Sequence, residues 1–113
     1  KHILLLDEQG RFELQECQQL TEAAGGNSGM RAFIFTRSGR VNVVYWHISG
    51  QAEAELKVNP DNIRLYRVIG ETLPFQSAEG SVRLPVAGRL FLEFDLPREE
   101  VIGIMNSARL VSD

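Results

Sequence analysis

The stretch Arg40-Val41-Asn42-Val43-Val44-Tyr45-Trp46-His47-Ile48-Ser49-Gly50-Gln51-Ala52-Glu53-Ala54-Glu55-Leu56-Lys57-Val58 decides the class of this chain. It reads as two strands joined by a short turn at Ser49-Gly50-Gln51. The first is apolar on both faces, with Val41, Val43 and Tyr45 on one side and Val44, Trp46 and Ile48 on the other. A strand of that kind is covered on both faces. The second alternates, with Ala52, Ala54, Leu56 and Val58 facing a core and Glu53, Glu55 and Lys57 facing water.

The same period of two extends outward. Residues 31–37 form a strand with Phe33 and Phe35 on one face and Ala32 and Ile34 on the other, and Ser38-Gly39 turns it into the central strand. Asn59-Pro60-Asp61-Asn62 breaks the chain before a strand over 63–69. Val82, Leu84 and Val86 alternate in the next strand, where Pro85 marks an edge or a strand end. Leu90, Leu92 and Phe94 share a face in the one after. Pro97, Glu99 and Glu100 open a helix whose buried stripe is Val101, Ile102 and Met105. Residues 108–111 return as a last edge strand. Upstream, 2–6 is a short strand, and Leu14, Cys17, Leu20 and Ala24 recur at helical spacing, so 13–24 is expected to be a helix ending at the linker-like Gly25-Gly26-Asn27-Ser28-Gly29.

Together these elements predict an all-β chain, an antiparallel β-sandwich of about seven strands with a short N-terminal helix and a short C-terminal helix. Residues 1–29 are the connector, and 30–113 are the sandwich with its C-terminal helix. The expected core is Phe33 or Ile34, Val44, Trp46, Ile48, Ala54, Leu56, Leu65, Leu84, Leu90 and Leu92, with the indole of Trp46 sealed between sheets.

At 113 residues the chain suits one domain, and 43% apolar and 24% charged residues suit a folded one. A net charge of −3 with scattered basic residues argues against a nucleic-acid partner. No apolar run approaches the roughly 18 residues that span a bilayer, so no membrane partner is expected. The single Cys17 excludes an intrachain disulfide. The chain starts at Lys1 without Met and is read as a piece of a longer polypeptide, which leaves the compartment open to export.

Residues 30–94 resemble the small β-sandwich that follows the catalytic TIM barrel in many glycoside hydrolases. The resemblance is carried by Val43-Val44-Tyr45-Trp46-His47-Ile48-Ser49-Gly50, by Ile63-Arg64-Leu65-Tyr66-Arg67-Val68-Ile69-Gly70-Glu71, and by Val82-Arg83-Leu84-Pro85-Val86-Ala87-Gly88-Arg89-Leu90-Phe91-Leu92-Glu93. It implies a noncatalytic accessory domain whose partner is an upstream catalytic domain of the same chain. The family's catalytic carboxylates lie in the barrel, and no residue here matches their motifs.

The residues themselves offer little chemistry. Glu53 and Glu55 stand about 7 Å apart on one strand face, inside the separation glycoside cleavage needs, but a solvated face explains them better. His47 lacks a sequence neighbour to act with, and a hydrogen-bonded structural role is favoured. Cys17 on an apolar stripe reads as an inert thiol. Gly25–Gly29 lacks the Gly-Lys-Ser/Thr ending of a phosphate loop. No cofactor or metal is implied. A carbohydrate-binding module using exposed aromatics is the second reading, with Tyr45, Tyr66 and His47 as candidate contacts. The third is a protein-interaction sandwich unrelated to sugars.

Overall fold

A computed structural model describes residues 2–26, 29–48, 52–86 and 88–111. Among them the chain is all-β, with eleven strands in three antiparallel sheets and one α-helix. Strands β1 (His2–Leu6) and β2 (Phe12–Glu16) make a two-stranded hairpin. A five-stranded sheet runs β3 (Gln18–Gln19), β4 (Met30–Arg37), β5 (Arg40–His47), β10 (Leu90–Phe94), β7 (Ile63–Tyr66). A four-stranded sheet runs β11 (Arg109–Val111), β6 (Ala52–Leu56), β9 (Ser81–Val86), β8 (Gln76–Ala78). Helix α1 (Arg98–Ser107) precedes β11.

The stretch that decides the class is not a hairpin. β5 pairs with β4 and β10, whereas β6 pairs with β9 and β11 in the other sheet. Consecutive strands β5 and β6 therefore belong to different sheets, a passage between the two, and the turn expected at Ser49-Gly50-Gln51 lies outside the described residues. The segment between β9 and β10 makes the same kind of passage. A short link serves either topology, and the pairing partner is chosen by the faces the strands must bury.

One core lies between the two larger sheets. Ala32 and Ile34 of β4, Val43 and Tyr45 of β5, and Leu92 and Phe94 of β10 meet Ala54 and Leu56 of β6 and Val82, Leu84 and Val86 of β9. Each large apolar side chain buried there contributes roughly 1.5–3 kcal/mol. Helix α1 adds Val101 and Met105, one turn apart on the same face, with Ile102 only partly buried. Pro97 stands at its N-cap, and Glu99 and Glu100 occupy its first turn, where acids complement the helix dipole.

A second apolar layer covers the opposite face of the five-stranded sheet. Ile3 and Leu5 of β1 lie on Phe33, Phe35, Val44, Tyr66 and Phe91. This explains why β5 is apolar on both faces. It also corrects the reading of residues 13–24: that segment is β2, β3 and a 3-10 turn at Ala23–Gly25, not a helix. The connector is thus built into the layers, since β3 extends the five-stranded sheet beside β4.

Local chemistry fixes the hairpins. Ser38 and Gly39 both take positive φ, 53° and 76°, the geometry of a tight two-residue turn matched to strand twist. In the β1–β2 turn the Asp7 carboxylate accepts from the backbone N–H of Arg11 at 2.8 Å and of Gln9 at 3.0 Å, and from Arg11 Nε at 3.0 Å. The Arg11 backbone bond leads in holding this carboxyl below its usual range. Ile69 N–H donates to the Leu6 carbonyl at 3.2 Å, tying the hairpin to the segment after β7. Gly70 takes φ +90° beside the Glu8 carboxylate, and a Cβ there would strike that group. Pro85 pairs with Glu53 of β6 on one side and lies past the last β8 pairing on the other, near the end of β9.

Three expected core residues are placed otherwise. Ile48 is 56% exposed, Leu90 is partly buried, and Trp46 is partly buried on the outer face of the sheet. The inner aromatic of β5 is Tyr45, whose hydroxyl donates to the Pro85 carbonyl at 3.1 Å across the core.

Candidate functional site

Two surface features stand out, and both involve the β1–β2 hairpin. The first is its outer face. The register sets Leu4 opposite Leu14 and Leu6 opposite Phe12. Side chains directly opposite in an antiparallel pair share a face, so these four make one continuous patch. They are exposed by 48%, 66%, 38% and 69% in the order Leu4, Leu14, Leu6, Phe12. The same face continues to the exposed pair His2 and Glu16 at the end of the hairpin, which gives the patch a polar edge. Exposed apolar side chains scattered singly are ordinary, whereas a contiguous cluster with a polar rim marks a contact surface.

The second feature is a cleft of about 400 Å³ lined by His2, Ile3, Leu4, Cys17, Phe33, Trp46 and Arg89. Trp46 stacks on Phe33, with ring centroids 5.5 Å apart and planes inclined by 13°. The Arg89 guanidinium lies 5.4 Å from the centroid of the indole ring. The register accounts for this: Leu90 pairs with Tyr45, so Arg89, one residue earlier, falls beside Trp46. A cation over an indole face is attracted by the ring quadrupole. Cys17, expected on the apolar stripe of a helix, instead lies between β2 and β3, partly buried, and forms one wall of this cleft.

The candidate contacts for sugar fare differently. Tyr45 is fully buried, and desolvation pushes its phenol well above the ordinary range. Tyr66 is buried beneath the hairpin, where its hydroxyl donates to Asn42 Oδ1 at 2.6 Å. Burial leads in raising the Tyr66 phenol too, with Arg37 opposing and Glu93 adding to the rise. Neither ring offers a face at the surface for stacking. His47 is partly buried beside Gly29, where a Cβ would come within 3.1 Å of its Nε2. The structure brings none of the three into a common surface.

Glu53 and Glu55 form part of an ionic lattice on the outer face of the four-stranded sheet. Glu55 meets Arg109 at 3.3 Å and Arg83 at 3.7 Å, and Glu53 meets Arg83 at 3.9 Å. These exposed pairs contribute little each, and they set both carboxylates on a charged surface face. Among the described residues no group of three or more His, Cys, Asp or Glu is placed to hold a metal ion, and no helix is long and apolar enough to cross a membrane.

Sequence reasoning missed the outer face of the hairpin. Its signal was present: Leu4 and Leu6, then Phe12 and Leu14, alternate on either side of Asp7-Glu8-Gln9-Gly10. Arg89 had no comparable signal, because its place beside Trp46 depends on the β5–β10 pairing. The chain matches no protein-family model, and no curated protein or solved structure is significantly similar to it.

Proposed function

We propose that this chain is a noncatalytic docking module, the accessory β-sandwich of a glycoside hydrolase, whose two larger sheets form the sandwich and whose β1–β2 hairpin packs against the catalytic barrel of the same polypeptide. The observation that carries the docking reading is the in-register exposed quartet Leu4, Leu14, Leu6 and Phe12. The glycoside hydrolase assignment rests on the resemblance of the strand pattern over residues 30–94.

Magnitude favours a tethered partner. Covering four large apolar side chains that are about half exposed supplies on the order of 4–5 kcal/mol. A free partner loses about that much or more in translational and rotational freedom. A partner on the same chain is held at high effective concentration and needs far less. The complementary surface is apolar.

The test has two arms. The coding sequence upstream of Lys1 should specify a TIM barrel with paired catalytic carboxylates; a gene without one refutes the glycoside hydrolase assignment. The longer polypeptide with Leu6→Glu and Leu14→Glu should lose thermal coupling between its two parts in calorimetry, while the single-part transition of the chain stays in place. Unchanged coupling refutes docking through the hairpin. The chain alone should not turn over chromogenic glycosides.

A further inference from the structure

We propose that the cleft over Trp46 is a binding site for an organic carboxylate carried on an apolar ring, with Arg89 receiving the carboxylate and Trp46, Phe33, Ile3 and Leu4 enclosing the ring. This goes beyond the docking role and rests on separate observations, with Leu4 the one residue common to the two surfaces. The cleft, about 400 Å³, falls in the range of roughly 300–1,000 Å³ common for small-molecule sites. Its lining is mostly apolar, with polar groups supplied by His2 and Arg89. That composition selects the ligand. A neutral or acidic sugar would bring a ring of hydroxyls into a site with too few partners to satisfy them, at a cost for each one left unpaired. A flat or alicyclic hydrocarbon ring suffers no such loss and gains a stacked aromatic pair to lie against.

Arg89 supplies the charge selection. Most arginines in the structure have an acceptor: Arg11 with Asp7, Arg64 and Arg40 with Glu93, Arg67 with Glu71, and Arg83 and Arg109 with Glu55. Arg89 has no carboxylate partner among the described residues and is held on the indole instead. A guanidinium held over an aromatic ring by its charge uses none of its N–H donors in doing so, and those donors match a carboxylate two-to-two. The cation is thus positioned before the ligand arrives, which reduces the ordering that binding requires.

Trp46 is the single tryptophan of the chain, so its fluorescence reports this cleft alone. The probe is phenylacetate, with phenylacetamide as the uncharged analogue and glucuronate as the acidic sugar. Phenylacetate should give a saturable change in Trp46 emission. Phenylacetamide should bind about tenfold more weakly or worse, as loss of a charge-assisted pair implies, and Arg89→Gln should weaken phenylacetate by a similar factor while leaving the melting curve unchanged. Phe12→Ser with Leu14→Glu lies outside the cleft and should leave the titration as it was, even where docking is lost. The proposal is overturned by a linear, non-saturating response to phenylacetate, by equal affinity for the amide, by an Arg89→Gln protein that binds as well as the parent, or by glucuronate binding as tightly as phenylacetate.

Discussion

Removing the Tyr66 hydroxyl should destabilise the protein although the ring stays in place. Tyr66 Oη donates to Asn42 Oδ1 at 2.6 Å, and Asn42 is fully buried in the layer between the five-stranded sheet and the hairpin. The Asn42 amide also donates to the Arg40 carbonyl at 3.2 Å, so it cannot readily turn to present Nδ2 elsewhere. In Tyr66→Phe the Oδ1 acceptor loses its donor while still shut away from water, which costs about 1–3 kcal/mol. For a chain of 113 residues a loss near 2 kcal/mol lowers the melting temperature by roughly 6–12 °C. Urea denaturation should show a lower midpoint with an unchanged slope. Replacing Asn42 by Val as well removes the orphaned acceptor, so the double variant should be more stable than the sum of the single losses predicts, by about 1 kcal/mol or more. Strict additivity, or no loss in Tyr66→Phe, would refute the buried pair. The pH dependence has a definite sign. Burial raises the folded phenols of Tyr45 and Tyr66 above their ordinary value of 10.0. Their stabilising contribution is complete below pH 10 and falls away as pH rises beyond it, because only the unfolded chain then ionises freely. Tyr66→Phe should shallow that alkaline loss.

Phe12→Ser with Leu14→Glu should change the stability of the chain by no more than about 0.5 kcal/mol, since both side chains are mostly in solvent; a large loss in chemical denaturation would mean the face is already covered. Leu56→Ala, in the core between the sheets, should cost about 2–5 kcal/mol and exceed Trp46→Ala, whose ring is only partly buried; the reverse order in urea titrations would put the indole back in the core. Ser38→Asn should raise the melting temperature, because Asn-Gly suits the two positive φ angles of the β4–β5 turn better than Ser-Gly; a lower melting temperature would count against that turn.

The alternating segments were legible because one side of each is core. Ala54 and Leu56, Val82 to Val86, and Leu92 and Phe94 all bury the face the period of two selects, and α1 announced itself through Pro97 and its two acids. Three features were hidden for physical reasons. In β1, Ile3-Leu4-Leu5-Leu6 is apolar on both faces because one lies on the sheet and the other on the surface. Leu14, Cys17 and Leu20 mimic a helical stripe, yet β2 pairs with β1 and Gln18 and Gln19 pair with β4, and those long-range ladders override local spacing. Finally, β5 is apolar on both sides, so sequence could not tell which aromatic faces inward. Tyr45 does, its hydroxyl satisfied by Pro85 across the core, and Trp46 is left to line the cleft. Tyr45, chosen as a surface contact, is buried for that reason, whereas Tyr66 on β7 is buried because the β1–β2 hairpin covers its face of the sheet.

The direct measurement of the central claim is hydroxyl-radical footprinting of the chain alone and of the longer polypeptide that carries it. Leu4, Leu6, Phe12 and Leu14 should oxidise readily in the isolated chain and be protected in the longer one, while Ile48, exposed at the end of β5, keeps its reactivity as an internal reference. Equal oxidation of the four in both contexts would contradict docking through the hairpin.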